Sequence, residues 1–192
     1  MSSRRIAVLA LQGDFAEHEQ ALASLGVETF EIRQARDAQQ EFDGLVIPGG
    51  ESTVMGKLLR ELDLFEPLRR RLVEQRLPVM ATCAGLILLA KDIEADATRH
   101  FATLDVTVRR NAYGRQLGSF FTTGTFADLS QVPMSFIRAP SIERAGSDVT
   151  VLASFGGRPT AVRQGHQLAM AFHPELLTDN RIYSYFLENV LP

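Results

Sequence analysis

Short apolar runs, each closed by turn residues, recur along the chain. "RRIAVLAL" is rich in branched residues and stops at "QGD", which predicts a buried strand. In "DFAEHEQALASLG" that follows, Phe15, Glu19, Leu22 and Leu25 recur at helical spacing, three of them apolar, and Gly26 supplies a stop. "VETFEI" and "FDGLVIPGG" read as two more strands. "STVMGKLLRELDLF" puts Met55, Leu58, Leu59, Leu62 and Phe65 on one helical stripe. "PVMATC" is the next strand and "AGLILLAKDI" the next helix. Strand and helix thus alternate four times, the pattern of a mostly parallel sheet with helices on both faces. Ligands of such sheets bind outside the carboxyl ends of the strands, and two of those ends stand out here, "PGGES" and "TCAG".

The second half changes character. "LDVTVRR", "QLGSFFTTGTF", "MSFIRAP", "VTVLASF", "PTAVRQG" and "HQLAMAF" are strand-like with little helix between them. "PTAVRQGHQLAMAF" predicts a hairpin turning at Gln164-Gly165, and "RIYSYFLENVL" a closing helix. No Pro/Gly/Ser-rich spacer divides the chain. The expectation is one α/β domain over residues 1–192, in three layers, with an antiparallel portion added to the mostly parallel central sheet.

Composition fits that picture. With 192 residues, 45% hydrophobic and 22% charged, the chain can build a substantial core. Its formal charge of −3 argues against nucleic acid as the main partner. The densest basic cluster, Arg69 to Arg71, reads as a solvated helix face. The apolar run near the start is six residues long, too short for a signal peptide, and no stretch reaches the roughly 20 apolar residues that span a bilayer. The single cysteine excludes an internal disulfide and fits a reducing, cytoplasmic setting.

That cysteine, Cys83, lies where an apolar strand meets an apolar helix through the small residues Thr82 to Gly85. Taken alone it fits a buried structural thiol as well as a nucleophile. A strand–turn–helix junction exposes the side chain at the turn and sets it at a helix N-terminus, where a thiolate is favoured. A cysteine nucleophile needs a base, and the base an orienting group. Of the four histidines, His18, His100 and His166 read as surface or satisfied groups. His173 follows a strand and precedes Pro174, which biases it to extended backbone; Glu175, two residues on, then points the same way and can hold the imidazole. "HPE" is also a plausible turn with a helix-start carboxylate, and gains meaning only beside Cys83. Acyl transfer further needs oxyanion donors. Gly49-Gly50 at a strand end and the N–H of Ala84 are candidates, with a simple turn as the plain alternative. Phosphate binding has no G-x-x-x-x-G-K-[ST] motif to support it.

Together "TCAG", the distal "HPE" and the earlier "PGG" resemble the class I, triad-type glutamine amidotransferases. More closely, "LALQGDFAEH", "LVIPGGEST", "ATCAGLILLAKDI", "RRNAYGRQLGSF", "FIRAPSIERAG" and "FHPELLTD" resemble the glutaminase subunits of pyridoxal 5′-phosphate synthases. These blocks extend from residue 9 to residue 179; residues 124 to 135 match nothing in the pattern. The resemblance implies Cys83, His173 and Glu175 as the triad, Gly50 and Ala84 as the oxyanion hole, and L-glutamine held by Gly50, Glu51, Ser52, Arg110, Ile137 and Arg138. It implies no cofactor and no metal. It also implies a hetero-oligomer with a ring-forming synthase subunit that receives the ammonia, with strand-end loops such as that at Gln12 on the docking side. Arginine suits a substrate carboxylate because it can grip it bidentately, although Arg109 sits beside Arg110 and only motif spacing selects the second.

Three other readings compete. One is a glutaminase serving an imidazole- or purine-forming synthase, against which "RNAYGRQ" and "IRAP" count. Another is a non-catalytic interaction module, whose mark would be loss of Cys83, His173 or Glu175. The last is a stand-alone thiol hydrolase acting on other amides.

Overall fold

The computed structural model describes residues 4–112 and 118–192. Its first half alternates strands β1 (Arg5–Leu9), β2 (Glu28–Ile32), β3 (Gly44–Ile47) and β4 (Val79–Thr82) with helices α1 (Phe15–Ser24), α2 (Ser52–Glu61) and α3 (Phe65–Val73). Helix α4 (Ala84–Leu89) follows β4 at once. Then come β5 (Ala90–Ile93), β6 (Leu104–Arg109), β7 (Ser119–Phe126), β8 (Leu129–Ile137), β9 (Ser141–Ala145), β10 (Thr150–Phe155), β11 (Arg158–Gln164) and β12 (Gln167–Met170). Helix α5 (Arg181–Tyr185) runs on into a π-helical turn, Phe186–Val190.

The central sheet has the order β10-β11-β12-β4-β3-β1-β2. From β12 to β2 its five strands are parallel, while β10 and β11 continue it as antiparallel neighbours. Every residue of β3, β4 and β12 is buried, as expected for strands covered on both faces. Chain direction explains the covering. The connection β1–α1–β2 moves one way across the sheet and β3–α2–α3–β4 the other. Right-handed crossovers therefore place α1 and the α2–α3 pair on opposite faces. Helix α5 joins α1, with Asn180 bonded to Ser24 and Tyr183 edge-on to His18. Helix α4 packs against α2 and is apolar and buried all round. Among the described residues two smaller sheets, β5-β6-β9 and β7-β8, accompany the central sheet, and their inward side chains share one continuous core with it.

The chain leaves β1 and β3, which are neighbours, toward opposite faces, opening a crevice at their carboxyl ends. Gly13 lets the two loops meet: its φ is +90°, and a Cβ there would stand 1.8 Å from the Gly49 carbonyl oxygen. Gln12 Oε1 then accepts the Glu51 N–H at 2.6 Å.

Four expectations are corrected. The stripe from Met55 to Phe65 is two helices. Asp63 adopts φ +54° and ends α2, so Leu62 turns to solvent while Phe65 opens α3 and stacks on Phe101. "AGLILLAKDI" is helical only to Leu89. Residues from Ala90 on pair with β6, a long-range partner that an apolar run cannot announce. The hairpin closes on the Gln164–Gln167 pair, so its turn is Gly165-His166. The basic cluster also divides: Arg69 and Arg70 are exposed, but Arg71 lies over the Phe42 ring, 4.3 Å from its centroid. Among the described residues no helix is long and apolar enough to cross a membrane.

Candidate active site

Cys83 occupies a single-residue corner between β4 and α4, with φ +47° and ψ −101°. That region is costly for a side chain with a Cβ and persists only where the surroundings enforce it. Two contacts do so here. The Cys83 N–H bonds to Met170 O at 2.8 Å, extending the β4–β12 pairing by one residue. Gly85 lets α4 press against β3, since a Cβ there would lie 2.3 Å from Ile47 O.

The same strand pairing brings in the histidine. Adjacent parallel strands lie about 4.8 Å apart, so the carboxyl end of β12 delivers His173 beside Cys83, although 90 residues separate them. Gly49 sits against both. A Cβ on it would stand 2.5 Å from His173 Cε1 and 3.5 Å from Cys83 Cβ. His173 N–H bonds to Ser135 O at 2.8 Å, which draws the end of β8 over the site. The Ile137 carbonyl oxygen then lies 3.9 Å from Cys83 Sγ.

Glu175 Oε1 is 2.6 Å from His173 Nδ1, with both side chains buried. The route differs from the extended one expected. Pro174–Leu176 forms a 3-10 turn, and the carboxylate reaches the imidazole by folding back. Burial pulls the His173 imidazole toward its neutral form, but the Cys83 sulfur and then Glu175 outweigh it, and the group is pushed up to about 10. Nε2 is buried and makes no hydrogen bond of regular geometry among the described residues. Burial likewise raises the Glu175 carboxyl, yet His18 and His173 hold it below the ordinary value.

A cavity of about 520 Å³ opens over Cys83, a volume suited to a small metabolite. Gly50, Glu51, Ser52, Cys83 and Ala84 line one part of it; Arg110, Ile137, Arg138 and His173 line another. Every predicted site residue is therefore on its wall except Glu175, which stands behind His173. Glu51 caps α2, its carboxylate accepting from the Thr53 and Val54 N–H groups at 3.0 and 2.8 Å. Burial raises this carboxyl, but the two N–H groups win and hold it low. Alternation along the end of β6 separates the two arginines. Arg109 pairs outward with Glu143 and Glu94, while Arg110 faces the cavity, with Nη1 3.3 Å from Thr53 Oγ1 and 3.5 Å from Asp96 Oδ2. Residues 113–117 of the "RNAYGRQL" block lie outside the described residues.

Several wall residues were not read from sequence: Gln12, Asp14, Ile87, Asn111 and Leu176. Gln12 was expected on a docking face and here also joins the crevice loops. Asp14 Oδ2 lies 3.6 Å from His173 Nδ1. Asp14, His173 and Glu175 bring donor atoms within 4.8 Å of one another, but the imidazole nitrogen in that group is already engaged by Glu175. His18, expected at the surface or satisfied, is fully buried against Glu175, Thr82 and Tyr183. His100 departs from expectation. It is buried, and neither ring nitrogen has a hydrogen-bond partner among the described residues. Gly56 makes room for it, since a Cβ there would meet His100 Cε1 at 2.2 Å.

Cys83 at a corner of a mostly parallel sheet, with the His173–Glu175 pair just past the neighbouring strand, sits in the fold of a glutamine amidotransferase. A crystal structure described as a glutamine amidotransferase superposes with a TM-score of 0.90 at 45% identity, over 95% of this chain and 97% of that one. The chain belongs to the SNO glutamine amidotransferase family, whose pattern matches residues 8–192. It is 58% identical to the pyridoxal 5′-phosphate synthase subunit PdxT of Desulfitobacterium hafniense, over 97% of this chain and 93% of that protein. It is 55% identical to the PdxT of Methanocorpusculum labreanum, over 97% of each. A PurLQS structure from Thermotoga maritima shares the fold at 14% identity, with a TM-score of 0.67.

Proposed function

We propose that this chain hydrolyses L-glutamine to glutamate and ammonia, and that the ammonia serves pyridoxal 5′-phosphate synthesis. The observation that carries this reading is Cys83 on a strained corner beside a buried His173–Glu175 pair, facing one small cavity. Cys83 sulfur attacks the side-chain amide carbon, and the C=O electrons move onto oxygen, where the Gly50 and Ala84 N–H groups receive the charge. His173 holds the thiol proton and gives it to the leaving nitrogen. The C–N bond breaks, releasing ammonia and leaving a glutamyl thioester. Water then adds with His173 as base, and collapse returns the thiol and glutamate. Glu175 keeps the imidazole oriented and favours its charged form.

Free glutamine carries an ammonium and a carboxylate. Arg110 supplies the cation for the carboxylate, while Glu51, Ser52, Ile137 and Arg138 complete the wall around it. Ammonia is small and easily lost to water, so the chain works docked on a ring-forming synthase subunit, with the Gln12 loop on the docking side. The lone cysteine fits a cytoplasmic setting.

Ammonia release from glutamine should be abolished in Cys83→Ala and should rise in the wild type when the synthase subunit is added. Full activity in Cys83→Ala ends the mechanism. Stimulation by a different acceptor synthase, with none by this one, redirects the ammonia.

A further inference from the structure

Glu175 is almost wholly buried, and an ionised carboxylate in such a place needs compensation on both oxygens. Oε1 has His173 Nδ1. Oε2 is buried and has no hydrogen bond of regular geometry among the described residues, but His18 Nε2 lies 3.6 Å from it. His18 comes from α1 and approaches the carboxylate oxygen that His173 does not contact. Its other neighbours are Thr82 Oγ1, 3.2 Å from Nε2, and the Tyr183 hydroxyl, 2.8 Å from Nδ1.

We infer that His18 is a positioning residue for glutamine hydrolysis, a neutral imidazole whose Nε2–H edge holds Glu175 ionised and aimed at His173. The inference rests on the glutaminase reading above. The tautomer follows from the partners. The Tyr183 phenol is buried, which keeps it protonated, and its O–H donates to Nδ1. The proton of His18 is then on Nε2, shared between Thr82 Oγ1 and the field of Glu175 Oε2. The groups facing His18 are Glu175 and His173 from the segment after β12, Asp14 and Glu17 from the start of α1, Thr82 from β4 and Tyr183 from α5. Burial outweighs the carboxylates among them and lowers His18 from its ordinary value, so it stays neutral. Neutrality matters to the chemistry. An N–H dipole stabilises the carboxylate without cancelling its charge, whereas an imidazolium there would compete with His173 for it.

Glutamine hydrolysis by wild type, His18→Leu, His18→Gln and Tyr183→Phe, with the synthase subunit present and Cys83→Ala as blank, tests this. Folded His18→Leu should lose about tenfold in kcat, the scale of one weakened contact to a charged group, with KM changed less than about twofold. Its acid limb should move to higher pH, because Glu175 must be ionised and becomes easier to protonate. His18→Gln keeps a neutral donor near the Nε2 position and should stay close to wild type in rate and limb. Wild-type kcat and limb in folded His18→Leu would overturn the inference, as would a folded His18→Gln as impaired as the leucine variant. Should His18→Leu fail to fold, Tyr183→Phe decides. Loss of the hydroxyl frees the tautomer and should shift the limb the same way, and a wild-type profile overturns the inference. Equal activity in wild type and Cys83→Ala would instead remove the glutaminase reading itself, and this inference with it.

Discussion

His173 Nδ1 and Glu175 Oε1 stand 2.6 Å apart, joined by the tight turn that Pro174 begins. The short path leaves the carboxylate little freedom to do anything except hold that imidazole. Glu175→Gln should keep the fold and its affinity for glutamine while lowering kcat by about 100-fold or more, because an amide stabilises neither the charged ring nor its tautomer. Steady-state kinetics with a thermal melt alongside separates this outcome from unfolding.

Burial works against the charged form of His173, and Cys83 and Glu175 together hold it there. In Cys83→Ala the imidazole should therefore lose its proton well below the value of about 10 that it has in the intact site. Histidine resonances followed by NMR through the alkaline range would show the shift; an unmoved titration would mean that Glu175 alone sets it.

Arg110 is held between Asp96 and Thr53 on the cavity wall. Arg110→Lys should raise the KM for glutamine by about tenfold with a smaller change in kcat, since a lysine ammonium lacks the two-pronged grip. Asp96→Asn should move KM in the same direction by less. A purely kcat effect in both would assign the arginine another task.

Two left-handed glycines separate a structural from a functional need. Gly13→Ala drives a Cβ into the Gly49 carbonyl and should cost both stability and activity. Gly26 also has positive φ, +73°, but nothing lies within 4 Å of its missing Cβ. Gly26→Ala should cost about 1–2 kcal/mol of stability from backbone strain and leave glutamine turnover unchanged. Denaturant melts and ammonia release on the pair test this.

His100 carries the opposite sign to His173. Burial, then Arg60 and Arg110, push it down to about 4. The unfolded chain, with an ordinary imidazole near 6.5, binds the proton more readily, so stability should fall as pH drops from about 6.5 to about 4. Replacing His100 by Gln should flatten that part of the profile, which melts at a series of pH values would reveal.

Much of this site is visible in the chain because the chemistry sits at strand ends, and strand ends are where apolar runs meet small residues. "TCAG" and "PGGES" announce themselves that way, and "HPE" gains meaning as the partner a thiol requires. The i,i+2 logic for Glu175 reached the right residue by the wrong path, since a turn replaces the extended backbone. Asp14 was not read from the sequence, and His18 was read only as a surface or satisfied group, because nothing local marks them. His18 sits on the buried stripe of an ordinary helix, and its contacts depend on where β4, the turn after β12 and α5 converge. The early end of α4 was hidden for a similar reason: an apolar run suits helix and strand alike until a partner strand is found.

β12 lies in the interior of the central sheet, between β11 and β4, yet comes after every other described strand in chain order. During synthesis the β1 to β4 portion emerges with Cys83 already in it, while the strand that pairs with β4, and the His-Glu pair beyond it, are still to come. The corner at Cys83 takes its N–H bond from Met170, so it too waits for that strand. A chain without β12 therefore lacks the backbone bond that holds the Cys83 corner. Insertion of β12 into the sheet and the shaping of the Cys83 corner are one event.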